Sequence, residues 1–572
     1  MQVVRTARHR PAREHLVSST PPPSDNPTPP HGETLEQGAG SPVAPTRSSG
    51  GRKKLAVLGV GGVAVLAIAG GGAWAAMSFF GTGDQAAQAL PASTVGYLSV
   101  DLDPSGEQKL EALRTLEKFP AFTDEVDIDS EDDLRRVIGE EVLAENDCGL
   151  DYDDDVAPWI GERFAVAAVD LGEETPSPVV VMQVSDAGEA ESALGSAIEE
   201  CADGEGGLAV DGDWALLAED DDTAEAVLAQ TGEASLADDE DFTRWMEEAG
   251  DPGVISGYLA PEAGPLLAKL AEEGGAIPAE ALGDPMSDPA ADPSALAATP
   301  SVPPQLTEAL ADFEGAAMTV RFSDGAVEVE TAVDGGASPA AAVLGNDQGA
   351  SAMSSLPEDT VAAFGVGFQD GWFEELVAYA DEVISDGGST VSDQLEAAEE
   401  ATGLTLPEDV ETLFGDSATV SLGSGADLAS VFASEDLSAL PVAVKVQGEP
   451  DEIEQVLEKL RTAAGGEPAA DAFLASDAEG DALVVGPNAD YRADVVGDGG
   501  LGGSEVFEDV VPDADEAGVV FFVNFDGLDD VADELAGGDP MVTENLAPLA
   551  GLGVSAYADD EVSHTVVRLT TD

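Results

Sequence analysis

His564 is the only histidine after residue 31, and that removes most catalytic chemistry from the chain. A Ser-His-Asp or Cys-His centre needs an imidazole held by a carboxylate and facing a nucleophile. Zinc and non-haem iron sites commonly draw on several imidazoles or thiolates. His564 instead sits in an alternating strand pattern, which predicts an outward-facing strand residue. The two cysteines, Cys148 and Cys201, are read as a disulfide. Closing that span would stabilise the fold by about 4 kcal/mol on the chain-entropy view. Asp101-Leu102-Asp103-Pro104-Ser105-Gly106 begins like a calcium loop, but its twelfth position is Ala112, where a bidentate glutamate belongs. A strand-to-helix turn capped by Asp103 or Ser105 explains it better. Asp151-Tyr152-Asp153-Asp154-Asp155 and Glu219-Asp220-Asp221-Asp222 are the densest acid runs. In so acidic a chain they are read as solvated. No nucleophile elbow, phosphate loop or dinucleotide fingerprint occurs where it would work. The residues therefore specify no catalytic, cofactor-binding or metal site, and no cofactor.

The charge selects partners. Formal net charge is −93, with 22 basic residues against 115 acidic ones. Such a field repels nucleic acid and favours cations or a basic envelope partner. Aromatics are only 5%, so the core must be built largely from Val, Leu and Ala.

The elements that position these residues fall into blocks. Residues 1–54 are basic and Pro-rich, with Pro21-Pro22-Pro23 and Pro27-Thr28-Pro29-Pro30, and read as a disordered cytoplasmic tail. Leu55–Phe80 carries no charge over 26 residues. Following Arg52-Lys53-Lys54, it reads as one transmembrane helix and signal anchor, with the rest extracellular at the cell membrane. A short linker, 81–89, follows.

The remainder is written twice, as modules 90–334 and 356–572 joined by a linker, 335–355. Leu90-Pro91-Ala92-Ser93-Thr94-Val95 opens the first and Leu356-Pro357-Glu358-Asp359-Thr360-Val361 the second. The later landmarks keep their order: Asp155-Val156 with Trp159-Ile160-Gly161 matches Asp409-Val410 with Leu413-Phe414-Gly415. Pro178–Met182 matches Pro441–Lys445, and Gly212-Asp213 matches Gly480-Asp481. Roughly seven strands and three helices per module, with strands clustered, predict an α+β fold. It has mostly antiparallel sheet and flanking helices on one face. Two beads, or two sheets joined across a pseudo-two-fold, both fit. Cys148, Cys201 and a Pro-rich excursion at 272–304 occur only in module one, so specialisation is expected there or at the seam.

Ala89–Thr94, Val100–Ser105 and Gln108-Lys109…Leu116-Glu117-Lys118-Phe119-Pro120 together resemble actinobacterial single-pass membrane proteins catalogued as a domain of unknown function. That resemblance implies the topology above and no activity. The functional expectation is an envelope-anchored protein that binds or scaffolds through its acidic ectodomain. Carriage of an apolar ligand, or hydrolysis by carboxylates alone, stand as alternatives.

Overall fold

Alternation of apolar and polar residues builds the strands, since neighbours on a strand face opposite sides of the sheet. In β2 (Ile160–Val169) every second side chain is buried. The computed structural model describes residues 85–101, 106–120, 136, 139–140, 143, 150–202, 204–272, 309–323, 325–335, 348–384, 390–425, 437–497, 499–512, 514–528, 540–558 and 562–572.

The first half contributes β1 (Thr94–Asp101), β2, β3 (Ser177–Val184), β4 (Gly207–Asp211), β5 (Trp214–Ala218), β6 (Ile255–Leu259), β7 (Ala316–Ser323) and β8 (Ala326–Asp334). The second contributes β9 (Thr360–Gly367), β10 (Ser417–Gly423), β11 (Val442–Gln447), β12 (Ser476–Glu479), β13 (Ala482–Val485), β14 (Val519–Asn524), β15 (Leu549–Ala558) and β16 (Val562–Thr571). Helices α1 (Gly106–Leu116), α2 (Ala187–Cys201), α3 (Asp221–Thr231), α4 (Glu240–Glu248) and α5 (Ala263–Glu272) belong to the first half. Helix α6 (Gln348–Ser354) precedes β9, α7 (Trp372–Ile384), α8 (Val391–Thr402) and α9 (Glu408–Phe414) lie between β9 and β10, and α10 (Pro450–Ala463) follows β11. The last four are α11 (Pro468–Phe473), α12 (Ala489–Val496), α13 (Glu505–Val510) and α14 (Pro540–Leu546).

Among the described residues sixteen strands lie in one antiparallel sheet, in the order β12-β13-β11-β10-β9-β14-β15-β16-β8-β7-β6-β1-β2-β3-β5-β4. Each half thus supplies eight strands, and the second runs through the same order as the first, reversed. The halves are not beads. They join where β8 pairs with β16, from Val562 opposite Asp334 to Thr570 opposite Ala326. Two copies of one strand meeting antiparallel is what a pseudo-two-fold requires. Local contacts repeat too. Leu236 N donates to Leu90 O at 2.8 Å, and Leu501 N to Leu356 O at 2.9 Å. The outer hairpins both turn through Gly-Asp, with Gly212 at φ 58° and Gly480 at φ 66°, a conformation tight hairpins reserve for glycine. The outermost strand β12 is four residues long, Ser-Asp-Ala-Glu, and its charge discourages edge-to-edge pairing.

Helices cover both faces rather than one. On one face α6, α12 and α13 pack Met353, Val495 and Phe507 over Ala363, Ala443 and Phe522. The first half buries Val227 of α3 and Trp245 of α4 on that same face, against Tyr97, Val181 and Tyr258. The opposite face is closed by Ala112 and Leu116 of α1, Ala190 and Leu194 of α2, and Ile453 and Leu457 of α10. One departure matters below. Helix α1 packs on β7, whereas its counterpart α7 packs on α8 and α9, and Phe364 and Val420 stay exposed.

The seam is charged. Glu328 of β8 lies between Arg321 of β7 and Arg568 of β16, and Arg568 Nη1 meets Glu328 Oε2 at 2.9 Å. Arg321 also pairs with Glu328 and Glu330, and all four side chains are buried or nearly so. Lys118 Nζ reaches across to Thr571, 2.9 Å from its carbonyl and 2.8 Å from its hydroxyl.

Two expectations are overturned. The expected fold class included a transmembrane helix, but no helix among the described residues is long and apolar enough to cross a membrane. The longest of them, α2, has 15 residues, short of the about 20 a bilayer needs. Residues 55–80 lie outside the described residues, as do the tail 1–54, Cys148 and the bulk of the Pro-rich excursion. The fold is α+β on one large antiparallel sheet. Secondly, His564 does not face outward: it is 7% exposed, stacks on Tyr557 at 4.8 Å and lies 3.9 Å from Glu248. Pairing of β16 on both sides makes it an interior strand, with α4 of the first half over that face.

Candidate functional site

The two halves differ most tellingly at one end of the sheet. The backbone frame there is shared. Gly161 and Gly415 each leave no room for a Cβ, which would fall 2.8 Å from the Gln183 carbonyl or 2.1 Å from the Gln447 carbonyl oxygen. Val184 N donates to Asp213 O at 2.8 Å, and Gly448 N to Asp481 O at 2.9 Å. In the first half this frame is filled. Asp101 and Arg163 are register partners across β1 and β2, and Arg163 Nε donates to Asp101 Oδ2 at 2.8 Å, both side chains buried. Gln85 Nε2 donates to the same oxygen at 3.2 Å.

In the second half the same register partners are Gly367 and Ser417. Where the first half has arginine, aspartate and Val184, the second has serine, glycine and Gly448. The first turn of α6 packs over Gly365 and Gly367, and a cleft of about 800 Å³ opens at this end of the sheet. It lies between the ends of β9, β10, β11 and β13, bounded by α6 on one side and α9 and α10 on the other. Six carboxylates line it, from Asp370, Glu411, Asp416, Glu449, Glu452 and Asp481, with no lysine, arginine or histidine among its lining residues.

An aromatic wall completes the cleft. Phe368 stacks on Trp372 at 4.5 Å, and Phe414 meets them edge-on at 5.7 and 5.8 Å. The outward shift of α7 is what brings Trp372 here. Among the described residues, three buried polar atoms of the lining have no hydrogen-bond partner: Ser417 Oγ, Trp372 Nε1 and Glu411 Oε1. Ser417 is fully buried and Trp372 is 8% exposed. Polar atoms held in this way cost free energy unless something binds them. One is a donor, one an acceptor and one can be either.

Helices α9 and α10 are tied by Asp409. Its Oδ1 accepts from Lys459 Nζ at 2.8 Å, and its Oδ2 accepts from Thr405 N at 2.6 Å. The first half repeats the second contact, Asp151 N to Asp155 Oδ2 at 2.8 Å. Burial works to raise the Asp409 pKa, but the bonds from Lys459 and Thr405 outweigh it and hold the carboxyl below its ordinary value. A lowered folded pKa stabilises the fold above the ordinary carboxylate range, and that contribution disappears as pH falls through the lowered value. Asp409→Asn should therefore cost about 1–3 kcal/mol at neutral pH. The deficit should shrink on acidification, and urea midpoints measured across that range check it.

The residues singled out by sequence do not assemble a site. Cys201 ends α2, while Cys148 lies outside the described residues, so the expected pairing has no geometry here. Asp101 serves Arg163 rather than a cation loop. The two acid runs do capping: Asp151 accepts from Asp154 N at 3.1 Å and Asp220 from Thr223 N at 2.8 Å. Among the described residues no group of three His, Cys, Asp or Glu side chains could hold a metal ion. The lining residues of the cleft are separated in sequence and form no motif, so residue types and spacing give no signal for it.

No curated protein and no solved structure matches the chain. A family model described as a protein of unknown function (DUF3352) matches residues 57–422, a span that takes in the whole first half and β9 and most of β10 of the second. The chain belongs to this DUF3352 family.

Proposed function

We propose that the protein acts by binding, and that its ligand is an organic cation taken up in the second-half cleft. The observation that carries this reading is the lining: six carboxylates and no basic side chain around one cavity. Carboxylates ringing one cavity raise the local concentration of cations. The aromatic wall adds attraction for a cation through the ring faces. The acids are spread around the cavity rather than gathered on one point, which suits an extended organic cation better than a metal ion. An apolar ligand fits poorly, because it would desolvate carboxylates without pairing them.

The test is calorimetric titration of the full chain in 150 mM salt, where weak surface attraction is screened. Argininamide, lysinamide and spermidine form the cationic set, and N-acetylalaninamide and acetate the controls. Saturable one-site binding of a cation, weakening as salt rises, is the expected result. Absence of saturable binding by all three cations, or equal binding of acetate, would contradict the proposal.

A further inference from the structure

The sheet of the second half carries an open apolar row. Val420, Phe364, Phe521, Val554 and Val567 are successive register partners on β10, β9, β14, β15 and β16, so they share one face across five strands. At a strand spacing of about 4.8 Å the row is roughly 19 Å long. Phe364 and Val420 are each 46% exposed, and the other three are half-buried. Helices α6 and α13, which pack on these strands, lie on the opposite face, over Ala363 and Phe522. On the row's own face α1 packs over β7, and α10 over Ala418 and Val446.

We infer that this row is the docking surface for a cationic amphipathic helix of a partner protein. The inference does not depend on the cleft. The first observation behind it is the difference between the copies. The corresponding row of the first half is Val166, Leu98, Gly257, Met318 and Thr331. Where that row has Leu98, Gly257 and Thr331, the second has Phe364, Phe521 and Val567. In a chain with only 5% aromatics, two rings stand side by side on an open face. Exposed apolar rows mark interaction surfaces, and aromatic side chains are their usual anchors.

The second observation is what this sheet face accepts. Helix α1 seats Ala112 and Leu116, four residues apart, on Val320, Phe322 and Val327. A partner helix with apolar residues at that spacing makes the same kind of contact, the helix-in-groove mode.

The third is charge. Exposed acids stand at both ends of the central strands: Glu358 and Asp359 before β9, Asp370 after it, and Asp416 before β10. The five basic side chains of residues 356–572, Lys445, Lys459, Arg461, Arg492 and Arg568, are all bonded within the protein. The occupant must therefore bring the positive charge. A second copy of this chain, at −93, would be repelled.

The experiment mixes the full chain with labelled amphipathic helical peptides of about five turns, one of Leu and Lys and one of Leu and Glu. Fluorescence anisotropy in 150 mM salt reads the binding. The Leu/Lys peptide should bind saturably at one site. Phe364→Ser combined with Val420→Ser should weaken it at least about tenfold, with far-UV circular dichroism unaltered. Phe364→Ser alone gives a second reading should the pair disturb the sheet. Phe473→Ser, an exposed ring on α11 outside the row, should leave binding unchanged and so exclude unspecific attraction. Undiminished binding in the row variants, an equal loss in Phe473→Ser, or equal binding of the Leu/Glu peptide would overturn the proposal. Two further results would also overturn it. Binding of phosphatidylcholine vesicles that the double variant abolishes would assign the row to lipid. Sedimentation as a dimer that the double variant converts to monomer would assign it to a second copy.

Discussion

Glu328→Ala is expected to destabilise the protein by about 3–5 kcal/mol, the cost typical of removing one partner from a buried ion pair. Glu328 is 5% exposed and stands between two arginines, one from each half. Its removal strands Arg568, whose Nε already lacks a partner, in a position walled by sheet and helix. Arg321 keeps Glu330, so the damage concentrates on the strand that joins the halves. The loss should appear in the equilibrium urea midpoint. Replacing Arg321, Glu328 and Arg568 together with apolar residues of similar volume should be far milder, because it leaves no stranded charge. A small effect of Glu328→Ala, below about 1 kcal/mol, would mean that apolar packing and backbone pairing alone hold the seam.

Ser417→Arg is expected to destabilise the protein by about 3 kcal/mol or more, although the first half carries arginine at this register position. Ser417 is fully buried, and the first turn of α6 packs over the neighbouring Gly365 and Gly367. The new guanidinium would also lack the aspartate that holds Arg163, because Gly367 stands at that position. Ser417→Ala, which adds no volume and removes a hydroxyl without a partner, should change stability by less than about 1 kcal/mol. Equilibrium urea midpoints compare the two variants. An unchanged midpoint in Ser417→Arg would show that α6 yields to admit the side chain.

Much of the frame was legible before the structure. The repeated order of landmarks follows from residues that make turns and strands in both copies, such as Gly212-Asp213 and Gly480-Asp481. Strand alternation likewise announced an antiparallel α+β fold. The union of the halves into one sheet was less legible. A last strand of mixed polarity, such as Val562–Thr571, reads the same whether it ends a sheet or continues into another. For the same reason His564 was misplaced: alternation tells which residues share a face, not which face a distant helix covers. Helices on both sides follow from apolar strands such as Val519–Asn524, where Val519, Phe521 and Val523 alternate with Val520 and Phe522. The cleft was not legible, because its lining comes from five separated stretches between Gln348 and Asp481, and no spacing in sequence marks residues that only the fold brings together.

The most direct measurement follows the indole N–H of Trp372 by ¹⁵N-tryptophan NMR while argininamide is added. Trp245 Nε1 is already bonded to the Glu314 carbonyl at 2.9 Å and Trp159 Nε1 to the Asp155 carbonyl at 2.6 Å, so both serve as internal references. Trp372 lines the cleft and its Nε1 has no such partner. Its resonance should shift saturably, with one equivalent bound, while the two references stay still. A Trp372 resonance that does not move as argininamide saturates the protein would place the ligand outside the cleft.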